Sequence, residues 1–273
     1  MGWRDRGVEI KTPEQIDTMR QAGLVVAHTL ALLAEQATPG MTTGDLDAIA
    51  AETIAAAGAR PSFLGYHGFP GVICTSVNEQ VVHGIPSDRV LAAGDVVSVD
   101  CGAIVDGWHG DAAVTVALGS VAPEVEHLLH VTEQAMWHGI AAAALGGRVT
   151  DISAAIEQHV RSQGDFGIVE EYVGHGIGSA MHQPPNVPNV GPPGHGPRLV
   201  PGLVLAVEPM VTLGSPGTRV LGDEWTVVTT DGQVAAHSEH TFTLTDAGAW
   251  VLTAFDGGRS DLERLGAPYG GPA

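Results

Sequence analysis

The residues of this 273-residue chain best equipped for chemistry begin with two acids on one hairpin. In Gly94 to Val116, GDVVSVDCGAIVDGWHGDAAVTV, Val97 and Val99 alternate with Ser98 and Asp100, the pattern of a half-buried strand with an acid on its polar face. A second alternating run starts at Asp111, and Asp106-Gly107 between the two is the dipeptide of a tight two-residue turn. With that turn, Val105 faces Trp108 and Asp100 faces Ala113, so Asp111 lies one diagonal away on the same face. Diagonal neighbours stand roughly 7 to 8 Å apart, close enough to reach a shared cation. Taken alone, the pair reads equally well as two acids facing solvent.

The second half of the chain changes that reading, because it repeats the pattern. Gly94 to Asp100 aligns with Gly202 to Glu208, and Asp111-x-x-Val-Thr-Val aligns with Glu239-x-x-Phe-Thr-Leu. His83-Gly84-Ile85 recurs ahead of them as His175-Gly176-Ile177. The chain therefore carries His, acid, acid twice, in repeats spanning about 13–119 and 120–252. Two copies of one unit packed about a pseudo-twofold axis bring equivalent positions together, and four carboxylates so gathered repel unless cations sit among them. Two divalent ions balance four carboxylates. An oxygen-rich cluster with an imidazole suits Mn²⁺, Fe²⁺, Co²⁺ or Zn²⁺ better than a tetrahedral structural zinc. Acids bridging both ions place them roughly 3.5 to 4 Å apart, the separation of two-metal hydrolases. Glu208 follows an apolar run, Val204 to Val207, where an unpaired charge is costly.

The elements that must position these groups read as follows. Thr12-Pro13-Glu14-Gln15 opens a helix with a capping box, and apolar residues at spacings of three and four carry it to about residue 36. Thr42, Thr43 and Asp45 offer caps for a second helix, Leu46 to about Ala57, and a short strand follows at Val72 to Val77. After Gly119 come a long helix from Glu124 to about Leu145 and a shorter one from Ile152 to Arg161, capped by Thr150-Asp151. Residues 1–253 read as one catalytic domain, and 254–273, rich in Gly and Pro, as a flexible tail.

Composition narrows the classes. There are 31 acids against 12 bases, Lys11 is the only lysine, and the formal charge is −19, which argues against tight nucleic-acid binding and against an anionic membrane surface. No signal-peptide core and no apolar run of membrane-spanning length are present, so a cytoplasmic protein is expected. Cys74 and Cys101, the only cysteines, form no CxxC and no disulfide framework.

These residues carry a resemblance to the bacterial type I methionine aminopeptidases, from about Val8 to Leu252. Its segments are IKTPEQIDTMRQAG, PSFLGYHGFPGVICTSVNEQVVHGIP, VDCGAIVDGWHGDAAVTV, YVGHGIGSAMHQPPNVPN, LAVEPM and DEWTVVTTDGQVAAHSEHTFTLTDAG. The resemblance implies the pita-bread (creatinase/aminopeptidase) fold, an α/β architecture with a duplicated, curved antiparallel sheet and helices on its outer face. It implies five ligands for two divalent ions (Co, Mn, Fe or Zn): Asp111 and Glu239 bridging, Asp100 on one ion, His175 and Glu208 on the other. By the same resemblance His83 and His182 lie beside the substrate, and Tyr66, Phe69, Cys74 and Trp225 wall a methionine pocket, with Phe63 and Met181 as further contributors; Glu208, a ligand acid at the edge of the cluster, is expected to move the proton. Phe69 stands where the family often has tyrosine, which keeps the apolar wall and loses a hydroxyl. The implied substrate is the N-terminal Met of nascent polypeptides with a small second residue, met in transient proximity to the ribosome by a monomer. The chain's own Met1-Gly2 fits that rule and is expected to be processed. An Xaa-Pro aminopeptidase or prolidase shares the fold and ligands but is longer, and an inactive peptide-binding scaffold is expected to have lost ligands.

Overall fold

In the computed structural model, which describes residues 7–272, the central hairpin has the register that its turn dipeptide dictates. Strands β4 (Val96–Val105) and β5 (Trp108–Ala117) pair with Val105 opposite Trp108 and Asp100 opposite Ala113. Asp106 and Gly107 take φ of 47° and 84°, the left-handed pair that a two-residue turn between twisted strands needs. Met1-Gly2 lies outside the described residues.

The other strands are β1 (Arg60–Pro61), β2 (Ile73–Val77), β3 (Gln80–Val82), β6 (Gly167–Ile168), β7 (Gly174–Gly176), β8 (Gln183–Val187) and β9 (Val204–Val207). After them come β10 (Met210–Thr212), β11 (Thr218–Val220), β12 (Val227–Thr229), β13 (Ala235–His237), β14 (Glu239–Thr245) and β15 (Gly248–Val251). The main sheet is curled and antiparallel, in the order β1-β4-β5-β14-β9-β7-β8, with β2 on β4 and β15 on β14. Its two halves join where β5 meets β14, so each half of the sequence supplies one wing. Two small sheets, β13-β10-β6 and β11-β12-β3, flank it.

Helices α1 (Pro13–Gln36), α2 (Thr43–Ala56), α3 (Pro123–Ala142) and α4 (Val149–Gln163) cover the outer face. Strand alternation explains why. Val97, Val99, Cys101 and Ala103 of β4 pack with Val26, Leu30 and Leu33 of α1 and with Leu46 and Ile54 of α2. Leu205, Val207, Phe242 and Leu244 do the same with α3 and α4 in the second wing. The intervening positions, Asp100 and Glu239 among them, therefore face the concave side. The capping box predicted at Thr12 is present, with Thr12 N–H donating to Gln15 Oε1 at 2.9 Å. Helix α2 starts at Thr43, three residues ahead of the expected start, because Thr42 and Asp45 form a second such box.

Residues 254–272, whose composition predicts a loose tail, instead include helix α5 (Arg259–Arg264), whose Leu262 is fully buried. Asp256 caps it by accepting from Gly258 N–H and Ser260 N–H, and Tyr269 bridges back to Ala249 of β15. Arg20 of α1 anchors the entry to this segment, donating to the carbonyls of Val251, Leu252, Ala254 and Phe255.

Candidate active site

The strand registers gather the acids without reference to any ligand. Ala113 of β5 lies opposite Asp100 of β4 on one side and opposite Glu239 of β14 on the other. His240 pairs with Val207, so Glu208, one residue past the end of β9, falls opposite Glu239. Ala206, two residues before Glu208 and so on the same face, pairs with His175 of β7. Asp111, two residues before Ala113, completes the group. The Asp111 main chain is clamped across the join by Thr241, whose Oγ1 donates to Asp111 C=O at 2.7 Å and accepts from Asp111 N–H.

The two His-Gly dipeptides have a steric reason. A Cβ on Gly84 would stand 2.2 Å from Thr75 O of β2, and one on Gly176 would stand 2.4 Å from Pro184 O of β8. Only glycine lets the neighbouring backbone pass that close beside each histidine, and both histidines line the cavity on the concave side. His83 itself sits at φ 60°, a left-handed conformation that costs a histidine little more than it costs asparagine.

One cavity of about 140 Å³ holds these groups. Asp100, Asp111, His175, Glu208 and Glu239 line it together with His83 and His182, and its walls are Phe63, Tyr66, Phe69, Cys74, Met181 and Trp225, with His67 besides. Every site residue anticipated from the sequence is therefore in one place. The volume matches the size class that accepts a single benzene ring, enough for one unbranched side chain. Phe69 and Trp225 meet edge to face at 5.1 Å, and Trp225 is also edge-on to His83 at 6.3 Å.

The spacing of His175 and His182 fixes no geometry by itself, yet their rings lie 4.2 Å apart. Tyr66 Oη is 2.9 Å from His182 Nδ1 and tethers that ring to the pocket wall. The loop bearing Met181 and His182 is strapped from outside. Glu9 accepts from Ser179 N–H, Ser179 Oγ and Gln183 Nε2, and the buried Lys11 ammonium donates to Gln183 Oε1 and to Glu9 C=O.

The electrostatics of the cluster call for a cation. Burial pushes Asp100 up to about 7, against a hydrogen bond with Asp111 that lowers it, while burial and then the neighbouring carboxylates lift Asp111, Glu208 and Glu239 well above the carboxylate range. Asp100 Oδ1, Asp111 Oδ1 and Glu239 Oε1 are buried with no hydrogen-bond partner among the described residues. Burial, then His182, lowers His175 to about 3, so its ring is neutral. His175 Nδ1 is 3.0 Å from Gly176 C=O, which can only accept, so Nδ1 carries the proton and Nε2 presents a lone pair. That lone pair faces Glu208 Oε1 at 3.4 Å and Asp111 Oδ2 at 3.8 Å. A lone pair aimed at carboxylates is repulsive unless a positive charge lies between them, and a carbonyl fixing the tautomer is the usual support of a metal-binding imidazole. Asp111, His175 and Glu239 offer donor atoms within 4.8 Å of one another, and so do Glu208, His237 and Glu239. The donor set fits divalent metal ions.

His237 is the residue that sequence reasoning passed over. The one signal was its place two before Glu239, which the break between β13 and β14 weakens.

Residues 17–246 match the profile of metallopeptidase family M24. The chain is 51% identical over 245 residues to a methionine aminopeptidase of Clostridium acetobutylicum, a match covering 89% of this chain and 98% of that one. It is 50% identical over 254 residues to methionine aminopeptidase 1 of Mycobacterium tuberculosis, covering 91% and 96%. Among solved structures, a methionine aminopeptidase from Thermotoga maritima superposes with a TM-score of 0.88 at 41% identity, covering 90% of this chain and 99% of that one. A prolidase from Pyrococcus furiosus reaches a TM-score of 0.73 at 21% identity, with 65% of its chain covered, a likeness of fold alone.

Proposed function

The chain belongs to metallopeptidase family M24, and on that premise we propose that it is a methionine aminopeptidase, hydrolysing the bond after an N-terminal methionine of nascent polypeptides whose second residue is small. One observation carries the reading: apolar walls, four buried or half-buried carboxylates and a lone-pair imidazole line one cavity of single-side-chain size. Two divalent ions are proposed, which Asp100, Asp111, His175, Glu208 and Glu239 would hold. When bound they would lower the pKa of water and polarise the scissile carbonyl.

This chain's own groups do the rest. Tyr66, Phe69, Cys74 and Trp225 hold the thioether side chain, for which a polarisable apolar wall is well suited. Glu208 takes the proton of the attacking water and delivers it to the leaving amine as the C–N bond breaks. His83 and His182 line the same cavity as the acids and the apolar walls, and donate to the substrate amide and to the oxygen that gains charge in the tetrahedral intermediate. The Tyr66 bond keeps the His182 ring turned towards that position.

The test is direct. Protein loaded separately with Mn²⁺, Fe²⁺, Co²⁺ and Zn²⁺ is incubated with Met-Gly-Met-Met and with an Xaa-Pro peptide. Release of free Met from the first and no cleavage of the second is expected. Failure to release Met with all four ions, or faster cleavage of the Xaa-Pro peptide, refutes the reading.

A further inference from the structure

His237 ends β13 opposite Met210 of β10. Its main chain is fixed from the strand that bears Asp111: Thr115 Oγ1 accepts from His237 N–H at 2.9 Å and donates to His237 C=O at 2.6 Å. The ring is 1% exposed, and its Nε2 has no hydrogen-bond partner among the described residues. A buried imidazole nitrogen left alone is costly, so its surroundings ask for an explanation.

Glu208 Oε2 lies 3.8 Å from this nitrogen. That is too long for a hydrogen bond, which needs roughly 2.7 to 3.2 Å. It is the right length for two donors on one ion: with ligand bonds of about 2.0 to 2.2 Å, two ligands of one cation stand up to about 4.2 Å apart. His175 Nε2 stands at the same 3.8 Å from Asp111 Oδ2 on the other flank. His237, Glu208 and Glu239 also converge to within 4.8 Å by one donor atom each.

We propose that His237 supplies a second imidazole nitrogen to the cation held by Glu208 and Glu239, beside the nitrogen of His175. This rests on the two-metal reading above and extends it. The consequence is a site less purely oxygenic than the four acids and one imidazole would make, which favours Zn²⁺, Co²⁺ or Fe²⁺ over Mn²⁺.

The experiment uses the full chain stripped of metal, as wild type and as His237→Gln, which retains a polar side chain at that position. One equivalent of Mn²⁺ is titrated by calorimetry, and nitrogen coupling to the bound ion is read by electron spin echo modulation. Zn²⁺ affinity is measured alongside. The proposal expects two coupled imidazole nitrogens in the wild type and one in His237→Gln, with Zn²⁺ affinity weakened at least the 10-fold typical of a lost outer-shell partner. One coupled nitrogen in the wild type overturns it, and this measurement stands even if the variant does not fold. Weaker affinity in the variant with unchanged nitrogen coupling also overturns it, leaving His237 a hydrogen-bonding neighbour of Glu208. If the wild type binds no divalent ion, while the melting curve shows it folded, the two-metal reading fails and this inference with it; His175→Ala losing nitrogen coupling while His237→Gln keeps it defeats this inference alone.

Discussion

Gly23→Ala sets two physical effects of opposite sign against each other. Gly23 lies in the middle of α1, where alanine is favoured over glycine by about 1 kcal/mol of helix propensity. The structure opposes the gain. A Cβ there would stand 2.2 Å from Leu252 O and 2.7 Å from Leu252 C, both backbone atoms that cannot rotate away. On the facing strand, a Cβ on Gly110 would likewise lie 2.7 Å from Gly23 N, so helix and sheet touch backbone to backbone here. Ordinary carbon contacts begin near 3.4 Å, and α1 would have to retreat by roughly 1 Å, against the four Arg20 bonds that hold it to residues 251–255. Overpacking costs about 1 to 3 kcal/mol, towards the upper end where backbone must move. The net is a loss of about 1 to 2 kcal/mol, or a fall in Tm of about 2 to 8 °C at about 2 to 4 °C per kcal/mol in a chain of this size. Scanning calorimetry of the metal-free protein measures it. A variant melting at or above the wild type would show that propensity outweighs the packing and that the contact is softer than described.

Tyr66→Phe removes only the oxygen 2.9 Å from His182 Nδ1; at about 1 kcal/mol for the bond, kcat/KM should fall about 5-fold with calorimetric metal affinity unchanged. Chelation should lower Tm, because an ion held at 100 times its Kd stabilises by about 2.7 kcal/mol; thermal melts with and without EDTA check this, and equal melts would contradict a bound ion. With Asp100 lifted to about 7 by burial, a proton competes with the cation below that pH. Calorimetric affinity should therefore weaken as pH falls through 7, about tenfold per pH unit for each proton displaced.

Much of the site was legible because it rests on short-range rules. Asp106-Gly107 sets a two-residue turn, the turn sets the β4/β5 register, and the register puts Asp100 and Asp111 on one face. Repetition extended the argument to Glu208 and Glu239. It could not assign work to the histidines: His83 and His175 occupy equivalent places, yet only His175 faces Asp111 and Glu208 with its Nε2. The tail was misread because Gly and Pro mask the signal of a single helical turn capped by Asp256. His237 escaped because β13 ends with it and β14 begins at Glu239, so strand parity is not guaranteed across the break between them.

The helices' place on the outer side was implied by the family resemblance, while alternation, turn chemistry and duplication in the chain itself determined the central hairpin, its repeat and the pairing of the four acids. These are properties of residues near one another in sequence, where backbone geometry leaves few choices. Only the tertiary structure decided how the wings close: that Ala113 of one wing pairs with Glu239 of the other, that Tyr66 reaches His182, and that the Glu9–Lys11 segment ties down the loop carrying His182. Such contacts join residues more than a hundred positions apart. They form only when burial of the outer face against α1 and α3 brings β5 against β14, and no local pattern encodes them.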